Sequence, residues 1–370
     1  MQLSLLDSWG YGPSFALAFS SLAQPDLVPA RVLSDLGSRL EVVTASGPGR
    51  FAHPSGRLRH TLAAHQLPTV GDWVAITDAG DAGDASAPDG LAVIHHVLPR
   101  RTLLVRRAAG RRTGEQVVAA NVDTFFVVTS ANRDANARRI ERYLTAVWDS
   151  GAAPVLVVNK ADLCTPGELS GELAALGAVA PGVPVIAVSA HNGTDTDALA
   201  AYLQPGHTIA LIGSSGVGKS SLVNCLLGRD EQAVRQIDNN DRGRHATTRR
   251  QLFALPGGGL VIDTPGMREF GLVDHGGGLD ETFADLAELA TACRFRDCQH
   301  RGEPGCAIDA AIDAGELDPA RRDGLHKLER ELAAAERHRD PALAREERAR
   351  WKAIHKSQRA RAKVEPKLRR

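Results

Sequence analysis

The segment HTIALIGSSGVGKSSLVNCLLG, residues 207–228, decides the architecture. An apolar run of strand length enters a glycine-rich turn, and the turn opens directly into a helix-compatible stretch. That is the context in which Gly213-x4-Gly218-Lys219-Ser220 binds phosphate. Its glycines let the backbone of Gly213, Ser214, Ser215, Gly216, Val217 and Gly218 curl until the N–H groups converge at a helix N-terminus. Lys219 then reaches the β- and γ-phosphates, Ser220 offers a hydroxyl to Mg2+, and Ser221 completes the set of candidate contacts. A glycine-rich turn without function leaves the lysine unexplained. Only Lys160 and Lys219 occur before residue 327, although the chain holds 44 Lys and Arg. Arginine serves where any cation suffices, so both lysines point to chemistry specific to an ammonium group.

Downstream, QLFAL and GLVIDT read as two further strands. The second ends in Asp263-Thr264-Pro265-Gly266, where Asp263 can hold Mg2+ through water and the Gly266 N–H can sense a γ-phosphate. Paired with the phosphate loop, this turn becomes a switch ordered by γ-phosphate and Mg2+. Between them lies GRHATTRR, residues 243–250, in which either Thr247 or Thr248 can offer a hydroxyl to Mg2+.

Upstream, Asn159-Lys160-Ala161-Asp162 ends the strand PVLVV. A carboxylate accepts two hydrogen bonds from guanine N1 and N2, and adenine has no such donor pair, so Asp162 selects GTP over ATP. Ser189-Ala190, at the end of VPVIAV, stands where a second guanine-contacting loop belongs. The alternation of VDTFFVVTS, ANARRIERYLTAVWDSG, PVLVVN and VPVIAVSA predicts an α/β fold with a parallel sheet. Its first helix is well marked: Ile140, Leu144, Val147 and Trp148 share one face, and Gly151 can take the left-handed conformation that ends it.

The chain has 370 residues, 43% of them hydrophobic and 24% charged, as in an ordinary soluble protein of two or three domains. Its apolar runs, such as 155–158 and 183–188, are far shorter than the about 20 residues of a membrane span. The start MQLSLLDSWG lacks the basic n-region and apolar core of a secretory signal, which predicts a cytoplasmic protein without membrane partners. A formal net charge of zero conceals an asymmetry. Residues 321–370 hold 17 Lys and Arg against 8 Asp and Glu, so the first 320 residues are acidic by nine charges. A basic tail on an acidic body points to a nucleic-acid contact or to a solvated helical face.

Residues 1–29 show no clear period and read as a loosely packed arm. From 30 to 107, the runs ARVLS, RLEVVT, RLRHTL, TVGDWVAIT, LAVIHHVL and RTLLV predict five or six short strands and a small barrel of the OB type. Asp78 to Asp89 reads as a flexible insertion in it. Near the barrel, Arg100, Arg101, Arg106, Arg107, Arg111 and Arg112 are candidate RNA contacts together with the tail. Farther on, Cys293-x4-Cys298-x-His300-x5-Cys306 supplies four soft ligands within fourteen residues, which suits one closed, structural Zn2+ site.

The motifs run in the order NKAD, SA, phosphate loop, threonine loop, DTPG, whereas ordinary GTPases begin with the phosphate loop. Sites gathered at one sheet edge tolerate such a circular permutation when the original termini lie close together. With the barrel before it and CRFRDCQHRGEPGC after it, the chain closely resembles the RsgA family, ribosome small subunit-dependent GTPase A. The resemblance covers about residues 30–340 and implies five parts: an arm (1–29), an OB-fold RNA-binding domain (30–107), a permuted GTPase domain (108–275), a zinc-binding helical domain (276–345) and a basic tail (346–370). It also implies a GTP hydrolase, releasing GDP and phosphate, that acts late in maturation of the small ribosomal subunit and is stimulated by it. The implied partners are that subunit and its rRNA, and the implied state is a monomer. Met267 stands where many GTPases place a water-orienting glutamine, and its thioether cannot take that role. The resemblance points instead to His245, with Arg244, Arg249 and Arg268 as alternative charge stabilisers and Ala246 where many relatives carry a third threonine. The rival expectations are a non-catalytic GTP-binding RNA scaffold and a P-loop ATPase or kinase.

Overall fold

The computed structural model describes residues 5–77, 91–107, 115–131, 136–228, 250–264 and 277–339. Two short helices, α1 (Leu5–Ser8) and α2 (Pro13–Ser20), precede strands β1 (Leu27–Asp35), β2 (Leu40–Thr44) and β3 (Gly47–Pro54). Helix α3 (Gly56–Thr61) leads to β4 (Trp73–Thr77) and β5 (Ala92–Val97). β1 pairs with both β2 and β4, β3 runs parallel to β5, and β4 pairs with β5, so five strands close into a barrel. Period-2 alternation turns Ala30, Val32, Val42, Val74, Ile76 and Ile94 into a dry interior. This is the predicted OB-type barrel, with three differences of detail.

The run RLRHTL is not a strand. Ser55 Oγ accepts the Leu58 N–H and caps this stretch as α3, and a capped start outweighs weak alternation. The third strand comes instead from GPGRFAHP, whose glycines and prolines read as loop. RTLLV lies outside the barrel, as strand β6 (Leu103–Arg107) paired with β7 (Glu115–Ala120) in a separate two-stranded sheet. The start of the chain is not loose either: Leu6 and Phe15 are buried with Trp73, and the Phe15 and Tyr11 rings lie 5.8 and 4.8 Å from the Trp73 ring. The acidic insertion, Arg111, Arg112 and the basic tail fall outside the described residues.

The second sheet is built from β8 (Thr124–Ser130), α4 (Ala137–Asp149), β9 (Ala153–Asn159), α5 (Pro166–Val179), β10 (Val185–Ala187), β11 (Thr208–Gly213), α6 (Lys219–Leu226), β12 (Gln251–Ala254) and β13 (Leu260–Asp263). Its order is β10-β9-β8-β11-β13-β12, parallel except for β12, whose far side meets β1 of the barrel at Ser34 and Gln251 so that the strands run on continuously into the barrel. β8, β9 and β11 are covered on both faces, which explains their continuous apolar runs. The chain winds outward from β8 to β10, then crosses back to lay β11 on the other side of β8. Winding therefore reverses between β8 and β11, and the crevice beyond the carboxyl ends of those strands is where such sheets bind ligands. α4 buries Ile140, Leu144 and Val147 as predicted and ends before Gly151 at φ +82°.

Four helices follow: α7 (Gly278–Thr282), α8 (Ala284–Ala290), α9 (Ala307–Asp313) and α10 (Pro319–Arg339). They dock on α4. A Cβ on Gly278 would lie 2.2 Å from the Thr145 carbonyl oxygen, so only glycine permits this approach. Arg321, buried, donates to Glu141 Oε1 at 2.9 Å, to Asp285 Oδ1 at 2.8 Å and to the Thr282 carbonyl at 2.6 Å. A second buried arginine joins barrel to sheet. Arg31 donates to the carbonyls of Trp9, Gly71 and Asn121 and to Thr208 Oγ1 at the foot of β11. Burial lowers its pKa to about 10. Among the described residues no helix is long and apolar enough to cross a membrane.

Phe15→Ala is expected to lower the unfolding free energy by about 3 kcal/mol through the cavity it leaves against Trp73. Leu17→Ala, at a position 73% exposed, is expected to change it by less than about 0.5 kcal/mol. Urea unfolding distinguishes this packed arm from a loose one, for which both substitutions are silent.

Candidate functional site

The loops after β9, β10 and β11 meet at one edge of the parallel sheet, and they do so through side chains. Two glycines make the phosphate loop possible. Gly213 has φ +148° and a Cβ there would lie 2.2 Å from the Val128 carbonyl oxygen; Gly218 has φ +95° and a Cβ there would lie 2.2 Å from Asn159 Nδ2. Val217 points into the core beneath the loop, whereas Ser215, Gly216 and Ser220 face solvent. Ser214 is half-buried, and Ser220 and Ser221 lie in the first turn of α6. Buried Lys219 donates from Nζ to the carbonyls of Gly213 at 2.8 Å and Ser214 at 2.5 Å, which holds its ammonium over the loop.

The residues of NKAD close on this loop from β9. Asn159, almost fully buried, donates from Nδ2 to the Val217 carbonyl at 2.9 Å and accepts at Oδ1 from the Ala190 N–H at 3.0 Å. One amide thus joins all three loops. Lys160, at φ +63°, donates to the Gly216 carbonyl at 2.7 Å. Ser189 Oγ donates to Asp162 Oδ1 at 2.5 Å, which orients the carboxylate and leaves its other oxygen for a ligand. Asn159 and Lys160 thus bond the phosphate loop directly, Ala190 is tied to it through Asn159, and Ser189 links Asp162 to the Ala190 loop, although Asn159 and Gly218 stand 59 positions apart.

On β13, beside β11, Asp263 stands near Lys219. Burial pushes its pKa up to about 6 while Lys219 pulls it down. A desolvated carboxylate of this kind gains from a cation, so Asp263 and the Ser220 hydroxyl fit a Mg2+ carried by a triphosphate. Thr264 Oγ1 donates to the Leu211 carbonyl at 2.5 Å and ties the start of DTPG to β11. Gly266, Met267 and Arg268 lie outside the described residues, as do Arg244, His245, Ala246, Thr247, Thr248 and Arg249.

One contact was not foreseen from sequence. Arg139, in the first turn of α4, donates from Nη1 to Ser214 Oγ at 2.6 Å. Nothing in ARRIERYL distinguishes it from its neighbours Arg138 and Arg142.

The second cluster joins the ligand atoms of Cys293, Cys298, His300 and Cys306, all within 4.8 Å of one another. His300 Nδ1 lies 3.7 Å from Cys293 Sγ and 3.4 Å from Cys306 Sγ. A tetrahedron with Zn–S of about 2.3 Å and Zn–N of about 2.0 Å has edges of about 3.5–3.8 Å, so the residues fit zinc. Burial pushes the Cys306 thiol up to about 12, and a divalent cation favours its thiolate. His300 reaches the cluster from a left-handed backbone at φ +55°. Glu303 braces the loop by accepting the N–H groups of Gln299 and Arg301.

A family model described as RsgA GTPase matches residues 97–273. A protein of Opitutus terrae named "Small ribosomal subunit biogenesis GTPase RsgA" is 48% identical over 349 residues, covering 92% of this chain and 93% of its own length. Among solved structures, YjeQ from Thermotoga maritima is 26% identical with a TM-score of 0.60, covering 83% of this chain and 98% of its own. YloQ, described as a circularly permuted GTPase, is 23% identical with a TM-score of 0.56, covering 83% and 95%, and shares the fold.

Two outcomes follow from the site geometry. The pKa of Asp263 is raised in the fold, so this group stabilises the chain as pH falls from about 6 toward its ordinary 3.8 and opposes folding once ionised above 6. Asp263→Asn removes that opposition. At pH 7.5 without nucleotide the variant is expected to melt higher than the unsubstituted protein, and to lose the Mg2+-dependent gain in melting temperature with GTP. Zinc is expected at one equivalent per chain by atomic absorption; Cys306→Ser should lower it severalfold and lower the melting temperature.

Proposed function

The chain belongs to the RsgA GTPase family, and on that premise we propose how its residues hydrolyse GTP in biogenesis of the small ribosomal subunit. The observation that carries the reading is the bonding of Asn159 and Lys160 to the carbonyls of Val217 and Gly216, which holds a base-reading loop against a phosphate-binding one. The guanine lies against Asp162, whose free oxygen and whose Ser189-bonded oxygen together face guanine N1 and N2, with the Ala190 loop alongside. The backbone N–H groups from Ser214 to Gly218 bind the phosphates, and the Lys219 ammonium transfers its hydrogen bonds from two carbonyls to phosphate oxygens. Mg2+, when bound, neutralises the β- and γ-phosphates. Ser220, Thr247 or Thr248, and Asp263 would hold it, and Gly266 would sense the γ-phosphate.

Met267 offers no hydrogen bond to water. We assign that task to His245, which accepts a proton-bearing contact from the attacking water and orients it in line with the leaving oxygen. The oriented water attacks the γ-phosphorus, the bond to the β-γ bridging oxygen breaks, and GDP and phosphate leave. Intrinsic turnover is slow and rises on the small subunit, whose rRNA meets the barrel (30–107), the zinc-binding helical part (276–345) and the basic tail (346–370), with the GTPase part (108–275) between. The family relationship supports this partner, and the Cys3His cluster supports a structural zinc. The protein works as a cytoplasmic monomer.

Multiple-turnover phosphate release is the test. Small subunits are expected to raise the rate at least about tenfold, and His245→Ala to remove most of that rise while GDP affinity is retained. A scaffold that only holds GTP shows neither. Asp162→Asn is expected to weaken GTP binding by about 10²-fold or more and to favour xanthosine triphosphate; equal affinity for both nucleotides before and after substitution rules out the guanine assignment.

A further inference from the structure

We propose that the cleft between α4 and α10 binds a backbone phosphate of the small subunit's rRNA, beside the phosphate loop. The cleft has a volume of about 200 Å³ and is lined by Asn136, Arg138, Arg139, Arg142 and Lys327 over a floor that includes Glu141. Four cations thus surround one space, three of them from the first 320 residues, which are acidic by nine charges. The only carboxylate in the lining, Glu141, is taken by Arg321. Arg142 spends Nη2 on Glu331 at 2.6 Å, while its Nε is buried without an acceptor. Arg138 and Lys327 are exposed at the rim and form no ion pair among the described residues.

An exposed guanidinium and an exposed ammonium on facing helices, Arg138 and Lys327, with Arg139 and Arg142 beside them, make a donor set that an oxyanion satisfies. A phosphodiester suits it better than a carboxylate, because its two charged oxygens sit on a tetrahedral centre and can meet donors from two helices at once, whereas a carboxylate presents both in one plane. A cleft of about 200 Å³ admits one phosphate group. Arg139 ties the cleft to the nucleotide site, since its other end lies on Ser214. RNA seated there adjoins the phosphate loop, so the cleft contributes to stimulated hydrolysis and not to basal hydrolysis. The proposal rests on the reading that the partner is the small subunit.

The test uses the full chain with Arg138→Glu and Lys327→Glu together. Cosedimentation with small subunits, with a non-hydrolysable GTP analogue present, is followed from 50 to 200 mM KCl, with GDP affinity and basal phosphate release measured in parallel. The expected result is GDP affinity and basal rate like those of the unsubstituted chain, subunit affinity lower by about tenfold or more, and a salt slope shallower by about 1. A photo-crosslinker placed at position 327 is expected to label rRNA. Unchanged subunit affinity and slope overturn the proposal, as does label found only on ribosomal protein, which makes the occupant an acidic peptide. Should the charge reversals impair GDP binding, Arg138→Gln with Lys327→Gln replaces them, and a slope equal to that of the unsubstituted chain overturns the proposal. Failure of the unsubstituted chain itself to sediment with subunits defeats the partner assignment, a separate result from parity between variant and parent.

Discussion

A single amide side chain makes the nucleotide site one object. Asn159 donates from Nδ2 to the phosphate loop and accepts at Oδ1 from the loop after β10, and it is almost fully buried while doing so. Buried amides carry a desolvation cost unless both ends are bonded, so each loop holds the others in register. That mutual requirement is indifferent to the order in which the chain visits the loops. A permuted chain keeps the site because hydrogen bonds at the sheet edge, and not connectivity, hold it together.

The zinc-bearing helices are attached by a comparable device on a different surface. Arg321 and Glu141 form an ion pair with both side chains nearly inaccessible, and Asp285 and the Thr282 carbonyl satisfy the remaining donors. Such a pair contributes little net stability against an apolar replacement, but it tolerates no misdocking, because a displaced helix strands a charge. Burial pushes the Glu141 carboxyl upward, opposed by Arg321, which is the expected signature of a charge kept only by its partner. Gly278 and Gly324 permit the close approach: a Cβ on Gly324 would lie 2.5 Å from Glu141 Oε2. Helix α4 therefore serves two neighbours, the phosphate loop at its first turn and the metal-binding unit along its side.

What could be read in the sequence was chemistry held within a few residues. The phosphate loop, NKAD and the cysteine cluster each carry their meaning in local spacing, and the continuous apolar runs of β8, β9 and β11 announce a sheet covered on both sides. What could not be read depended on partners far along the chain. Arg139 meets Ser214 across 75 residues and Arg321 meets Glu141 across 180, and an arginine-rich composition gives neither any distinction. Helix α2 has no strong period because it is held by Phe15 against Trp73 and not by a continuous apolar stripe. In the barrel, RLRHTL alternates like a strand, yet one serine hydroxyl turns it into a helix, and a glycine-rich segment supplies the strand that it displaced.

Arg31 gives the molecule a mechanical property. Its guanidinium gathers the Trp9, Gly71 and Asn121 carbonyls and the Thr208 hydroxyl into one buried knot, while β1 and β12 add a ladder contact at Ser34 and Gln251. Loosening that knot strands a cation out of water, so the barrel has no cheap pivot at this seam. Torque on the barrel is delivered stiffly to the root of β11, the strand whose tip carries the phosphate loop. The barrel behaves as a lever arm on that loop, and any flexing between them must be found elsewhere in the chain.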